Sequence, residues 1–184
     1  MCKEWRVSIW NIVENREDKG NRMDEKLTIL KSHLPKAMLK ALTPEAIGAT
    51  PATFIDGDLI AIMDFPFKVG RESRVTKING RLEPIDRPKK DVGSKPNNDL
   101  YLIDRGHLLN ISREHFQIEV REGEYYLVDR GSACGTKLQD MSLGGEDQGG
   151  SVQLKDGDVI GVGAKSTPYL FQFVSFNEYQ IMKK

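Results

Sequence analysis

From residue 53 onward, apolar and polar positions alternate in short runs. Phe116, Ile118 and Val120 against Gln117, Glu119 and Arg121 is the clearest case, with one face to bury and one to wet. The alternation predicts strands at 53–55, 59–63, 67–71, 100–103, 115–120, 125–129, 136–138, 152–154, 159–162 and 169–174. Turn chemistry separates them at Asp56-Gly57-Asp58, Glu122-Gly123-Glu124 and Asp156-Gly157-Asp158. Many short strands with no helix between them predict an all-β sandwich.

The first fifty residues follow another rhythm. Between Met23 and Ala46, the residues Leu27, Leu30, Leu34, Met38, Leu39 and Leu42 recur largely at spacings of three and four, which predicts helix. Pro35 divides this pattern into two short helices, because proline suits a first turn and not an interior. Thr43-Pro44-Glu45 predicts a further cap and first turn. Trp5 to Trp10 alternates like a short strand. The expected organisation is a mostly helical appendage at 1–50, a sandwich at 51–176 and a tail at 177–184.

Two stretches interrupt the strand rhythm. Residues 72–96 carry Arg74, Lys77, Arg81, Arg87, Lys89, Lys90 and Lys95 against Glu72, Glu83, Asp86 and Asp91. A basic connection of this length, with no predicted structure of its own, reads as a solvated loop or a binding arm. It lacks interleaved aromatics, so nucleic acid is not an expected partner. Residues 144–150 are glycine-rich and read as flexible.

Composition narrows the function classes. The 184 residues, 39% apolar and 29% charged, allow one domain plus an appendage. Twenty-seven basic residues balance twenty-seven acidic ones, so no bulk field draws the chain to nucleic acid or membrane. Cys2, Cys134 and three scattered histidines form neither a disulfide framework nor a metal-ligand spacing, and no metal or cofactor is expected. No run approaches the roughly 18 apolar residues of a membrane span. With no apolar signal core near the N-terminus, the cytoplasm is the expected compartment.

The loop residues carry the chemistry. A strand ending in Gly70-Arg71 is followed by Asn98-Asp99-Leu100, Ser112-Arg113-Glu114-His115, Ser132-Ala133-Cys134-Gly135-Thr136 and Leu154-Lys155-Asp156-Gly157-Asp158. In that order these motifs resemble the forkhead-associated (FHA) domain, over about two thirds of the chain. The resemblance implies an FHA-like sandwich of about ten or eleven short strands that binds phosphothreonine peptides at loops on one end. It implies phosphate contacts from Arg71, Ser112 and Arg113, and it makes Gly70, His115, Ser132, Gly135 and Thr136 the architecture of the pocket. Asn98, Ala133 and Cys134 fall where a bound peptide would be touched. The implied partner is a phosphothreonine-containing protein, a serine/threonine kinase or its substrate.

The residue types suit that chemistry. A phosphate offers nearly two charges and three strong acceptor oxygens, and a guanidinium fork matches two of those oxygens where lysine would not. The match departs at one point: Ala133 has no hydroxyl, and Cys134 stands where the family has an asparagine that bonds the peptide backbone. A thiol is a far weaker donor and acceptor.

Other readings compete. Ser112 and His115 as nucleophile and base would need a nucleophile turn and an orienting carboxylate, and Ile111-Ser112-Arg113 is no such turn; no enzyme is expected. Gly161-Val162-Gly163-Ala164-Lys165-Ser166 lacks the glycines of a nucleotide loop. Cys134 as a reactive thiol would need a cation beside it, such as Arg130. An alternative keeps the sandwich, drops the phosphate, and has the Leu27–Leu30–Leu34 face make the protein contact. Thr43, Thr50 and Thr53 are also candidate phosphorylation sites for recognition by the same or a neighbouring molecule.

Overall fold

The structure, a computed structural model, describes residues 25–26, 28–29, 31–71, 75–78, 81–84, 97–104, 110–146, 148–164 and 166–176. The expected strand at Trp5–Trp10, the tail at 177–184, and Leu27 and Leu30 lie outside them. The chain divides into two units between Leu34 and Pro35. In the first, residues 25–26, 28–29 and 31–33 are helical, and the Ser32 hydroxyl donates to the Ile29 carbonyl at 2.7 Å.

The second unit is built on two sheets. In chain order its elements are β1 (Ala37–Ala41), α1 (Pro44–Ala49), β2 (Leu59–Ile62), β3 (Phe67–Arg71), β4 (Val75–Ile78), β5 (Arg81–Pro84) and β6 (Leu100–Leu102). Then follow β7 (Phe116–Arg121), β8 (Glu124–Asp129), β9 (Thr136–Leu138), β10 (Met141–Leu143), β11 (Gly150–Leu154), β12 (Val159–Val162) and β13 (Leu170–Ser175). One sheet runs β10-β9-β12-β13-β1-β2 and the other β11-β8-β7-β3-β6, so eleven strands form the sandwich. Side chains from both sheets share one apolar core. Tyr125 of β8 meets Phe173 of β13 edge-on across it, with ring centroids 5.0 Å apart.

Strands β2, β6, β7, β8, β9 and β13 follow the predicted alternation. Phe116, Ile118 and Leu127 are fully buried; Val120, near the end of β7, is exposed instead. Glu122 (φ 53) and Gly123 (φ 86) close the β7–β8 hairpin, both in the left-handed region that a two-residue turn of this kind requires.

Several expectations are corrected. The segment expected to form the second helix is strand β1, and the sandwich therefore begins at Ala37 rather than at residue 51. Ala37, Leu39 and Ala41 point inward with period two, and Leu39 lies between Phe173 and Ile60. The open slot between β13 and β2 satisfies the backbone on both sides. Residues 53–55 are a turn and its exit rather than a strand, with Phe54 N–H donating to the Pro51 carbonyl. Pro51 and the turn at Gly57 (φ 63) leave no length for pairing. The cap at Thr43 is present: its hydroxyl accepts the Ala46 N–H at 3.2 Å and opens α1.

The long basic connection contains structure of its own. β4 and β5 pair antiparallel, Ile78 opposite Arg81. Between them the sequence reads Asn79-Gly80, the pair most favoured in two-residue hairpin loops. β10 was also not anticipated; it pairs with β9 at the sheet edge.

Register decides where the loops gather. Val69 near the end of β3 faces Phe116 at the start of β7, and Phe116 faces Asp129 at the end of β8. The ends of β3 and β8 and the approach to β7 therefore share one end of the five-stranded sheet.

Candidate functional site

The site starts from a missing side chain. A Cβ on Gly70 would collide with the Arg113 carbonyl oxygen and come within 2.7 Å of the Asn98 amide nitrogen. Only glycine lets the 112–115 backbone lie directly on β3. That backbone is bonded down at both ends: Arg71 N–H donates to the Ser112 carbonyl at 2.8 Å, and His115 N–H to the Val69 carbonyl at 3.0 Å.

His115 is fully buried and joins two loops. Its Nδ1 accepts the Ser112 N–H at 2.8 Å, so its Nε2–H donates to the Gly135 carbonyl at 3.0 Å. That tautomer is neutral. Burial drives the imidazole down from its usual 6.5 to about 4, against the opposing pull of the Gly135 carbonyl and of the Asp129 and Asp104 carboxylates.

Asp129 shapes the next loop. Its Oδ1 accepts the Gly131 and Ser132 N–H groups at 3.1 and 2.8 Å, and its Oδ2 accepts the Ser132 and Thr136 hydroxyls, each at 2.6 Å. Gly135 sits at φ 78, a conformation side chains disfavour. The two loops are then tied together, with Arg130 N–H donating to the His115 carbonyl and Ala133 N–H to the Ser112 hydroxyl oxygen.

Above this floor opens a cleft of about 600 Å³, lined by Arg71, Asn97, Ile111, Ser112, Arg113, Glu114, Arg130, Gly131 and Ala133. Three guanidinium groups face one carboxylate. Arg71 Nε donates to the Ile111 carbonyl at 2.9 Å, which orients its plane along the wall. The Ser112 oxygen already accepts from Ala133, so the hydroxyl hydrogen is what it has to offer a ligand. Such a site suits a compact, multiply charged oxyanion.

Arg71, Ser112, Arg113 and Ala133 thus meet in the lining. Gly70, His115, Ser132, Gly135 and Thr136 lie beneath it, each buried. Two expected ligand contacts do not line it. Asn98 is buried, its Nδ2 donating to the Arg113 carbonyl at 2.7 Å and its Oδ1 accepting from Arg130 Nη1 at 2.7 Å, which uses both ends of the amide. Cys134 is exposed outside the lining. Sequence reasoning weighed Asn97 as a ligand contact beside Asn98, and it missed Glu114 and Arg130 as cleft residues and Asp129 as the loop's organiser. Asp129-Arg130-Gly131-Ser132 did carry a signal, an aspartate placed to bond amides two and three residues on.

Of the candidate phosphorylation sites, Thr43 is a helix cap whose hydroxyl donates to the Pro168 carbonyl at 2.5 Å, and Thr50 is buried. Thr53 is exposed. Among the described residues no group of His, Cys, Asp and Glu could hold a metal ion, and no helix is long and apolar enough to cross a membrane.

Comparison with known proteins bears on the same loops. Residues 90–163 match the family model of the FHA domain. The oxoglutarate dehydrogenase inhibitor of Corynebacterium efficiens is 32% identical over 79 residues, 43% of this chain and 49% of that protein. Its namesake in Corynebacterium glutamicum is 34% identical over 77 residues, 38% of this chain and 51% of that protein. The aligned part thus spans about half the length of these relatives. Among solved structures, Mycobacterium tuberculosis EmbR in complex with a low affinity phosphopeptide aligns over 86% of this chain and 31% of its own, at 16% identity and a TM-score of 0.44. The FHA domain of an Arabidopsis thaliana hypothetical protein aligns over 77% and 84%, at 23% identity and a TM-score of 0.42. The residues that match the FHA domain thus include the 112–115 and 130–136 loops that build the cleft.

Proposed function

We propose that the chain is a non-catalytic regulator that binds phosphothreonine-containing proteins in the arginine-lined cleft. The observation that carries the reading is the convergence of Arg71, Arg113 and Arg130 with the Ser112 hydroxyl over a buried, fully hydrogen-bonded floor. In this reading Arg71 grips two phosphate oxygens, Ser112 donates its hydroxyl to a third, and Arg113 adds a second cation. Arg130 is held by Asn98 and the Asn97 carbonyl, and it contributes field rather than a moving contact. In this reading the peptide meets Asn97, which lines the cleft, rather than Asn98.

Two relatives named as inhibitors of an enzyme fit a chain that acts by binding. A serine/threonine kinase or its substrate supplies the phosphothreonine. The test is a titration of the full chain with phosphothreonine, phosphoserine and unmodified versions of one peptide pool, beside Arg71→Ala. Selective micromolar binding to the phosphothreonine pool, lost in the variant, is expected. Equal binding to all pools, or binding that survives Arg71→Ala, would overturn the reading.

A further inference from the structure

The cleft holds one residue of the wrong sign for phosphate. Glu114 lines it among three arginines, its side chain half exposed. Its backbone is fixed on both sides. The carbonyl before it, on Arg113, is held by Asn98, and the N–H after it, on His115, is bonded to β3. Both polar contacts of the carboxylate use Oε1, which accepts from Asn97 Nδ2 at 3.3 Å and lies 3.5 Å from Arg130 Nη2. The Arg130 contact is loose because that guanidinium bonds more closely to Asn98 Oδ1 at 2.7 Å and the Asn97 carbonyl at 3.2 Å. Oε2 has no partner among the described residues. A carboxylate anchored at the mouth of an anion site, with one oxygen unused, repels a second acidic group and accepts a cation.

We propose that Glu114 forms a cation subsite that selects a lysine or arginine beside the phosphothreonine and disfavours aspartate or glutamate there. This rests on the phosphopeptide reading above. It also gives the bound peptide a polar anchor on the Ser112–His115 loop, in a chain whose Ala133 and Cys134 offer little on the facing one.

The experiment scans lysine, alanine and aspartate through the positions around phosphothreonine in one peptide, against wild type, Glu114→Gln and Glu114→Lys. At one position wild type should prefer lysine over aspartate by roughly two- to fivefold more than Glu114→Gln does, the range of a partly exposed ion pair. Glu114→Lys should reverse the preference, and added salt should shrink it. A lysine-to-aspartate ratio unchanged in Glu114→Gln at every position would overturn the subsite while leaving phosphopeptide binding intact. Failure of every phosphothreonine peptide to bind wild type would overturn both.

Discussion

The floor of the cleft and its rim are only a few residues apart in sequence, yet they are built on opposite principles. His115, Asp129, Ser132 and Thr136 are buried and satisfy one another or the backbone at 2.6–3.1 Å. Arg113, Glu114, Ala133 and Cys134 are exposed. Buried polar groups stabilise only while every partner is present, whereas exposed charges contribute little until a ligand removes them from water. Substitutions in the floor should therefore unfold the loops, and substitutions in the rim should change binding alone.

Asp129 is where that contrast is sharpest. Asp129→Ala would leave the buried Ser132 N–H and the buried Ser132 and Thr136 hydroxyls without an acceptor, along with the half-buried Gly131 N–H. At about 1–3 kcal/mol for each unsatisfied group, with incomplete additivity, a loss of about 3–5 kcal/mol is expected. Urea unfolding measures it. A midpoint near wild type would mean that the 130–136 loop does not depend on this carboxylate.

His115 tests the floor through pH. Its folded value of about 4 lies below the ordinary 6.5, so the unfolded chain binds the extra proton between those values. Stability is fully present above pH 6.5 and falls as pH drops toward 4, by up to about 3 kcal/mol at ~1.4 kcal/mol per tenfold change. Carboxylates titrate in the lower half of that window, so the informative quantity is wild type minus His115→Gln. A difference that stays flat from pH 7 to about pH 4 would contradict a neutral, buried imidazole.

Arg71 stands between the two regions, with its backbone bonded into the floor and its guanidinium in the lining. Arg71→Ala removes a charge-assisted contact valued at about 1.5–3 kcal/mol, so phosphothreonine peptide binding should weaken roughly 10- to 100-fold. Stability should fall by only about 1 kcal/mol, the worth of the lost Nε–H bond to the Ile111 carbonyl. Arg71→Lys should recover only part of the affinity, since an ammonium cannot make the two-point contact. A large loss of stability would place Arg71 with the floor.

The same contrast explains what could be read from the chain itself. Most strands after residue 59 were legible because alternation and turn residues agree there; β10, an edge strand with no buried residue, was not. β1 was not, because Met38, Leu39 and Leu42 also satisfy a helical spacing, and its strand state comes from the vacant edges of β13 and β2. The β4–β5 hairpin was masked by its charges. Arg71, Ser112 and Arg113 stand in local motifs and could be named. Arg130 could not, because its place depends on Asn98, thirty-two residues away.

Cys134 yields the smallest predicted effect and the finest test of the rim. It is exposed on the loop that Asp129 folds, one residue from Ala133 in the lining. The floor beneath it is hydrogen-bonded through Asp129. Cys134→Asn would supply a carboxamide where the thiol is a poor partner for a peptide backbone. One neutral hydrogen bond is worth about 1 kcal/mol, so phosphothreonine peptides should bind about fivefold tighter with no change in unfolding midpoint. If affinity does not rise, the bound backbone does not pass over this loop. Peptide orientation then rests on Asn97 and Glu114, and combining Cys134→Asn with Glu114→Gln should lower affinity by no more than Glu114→Gln alone.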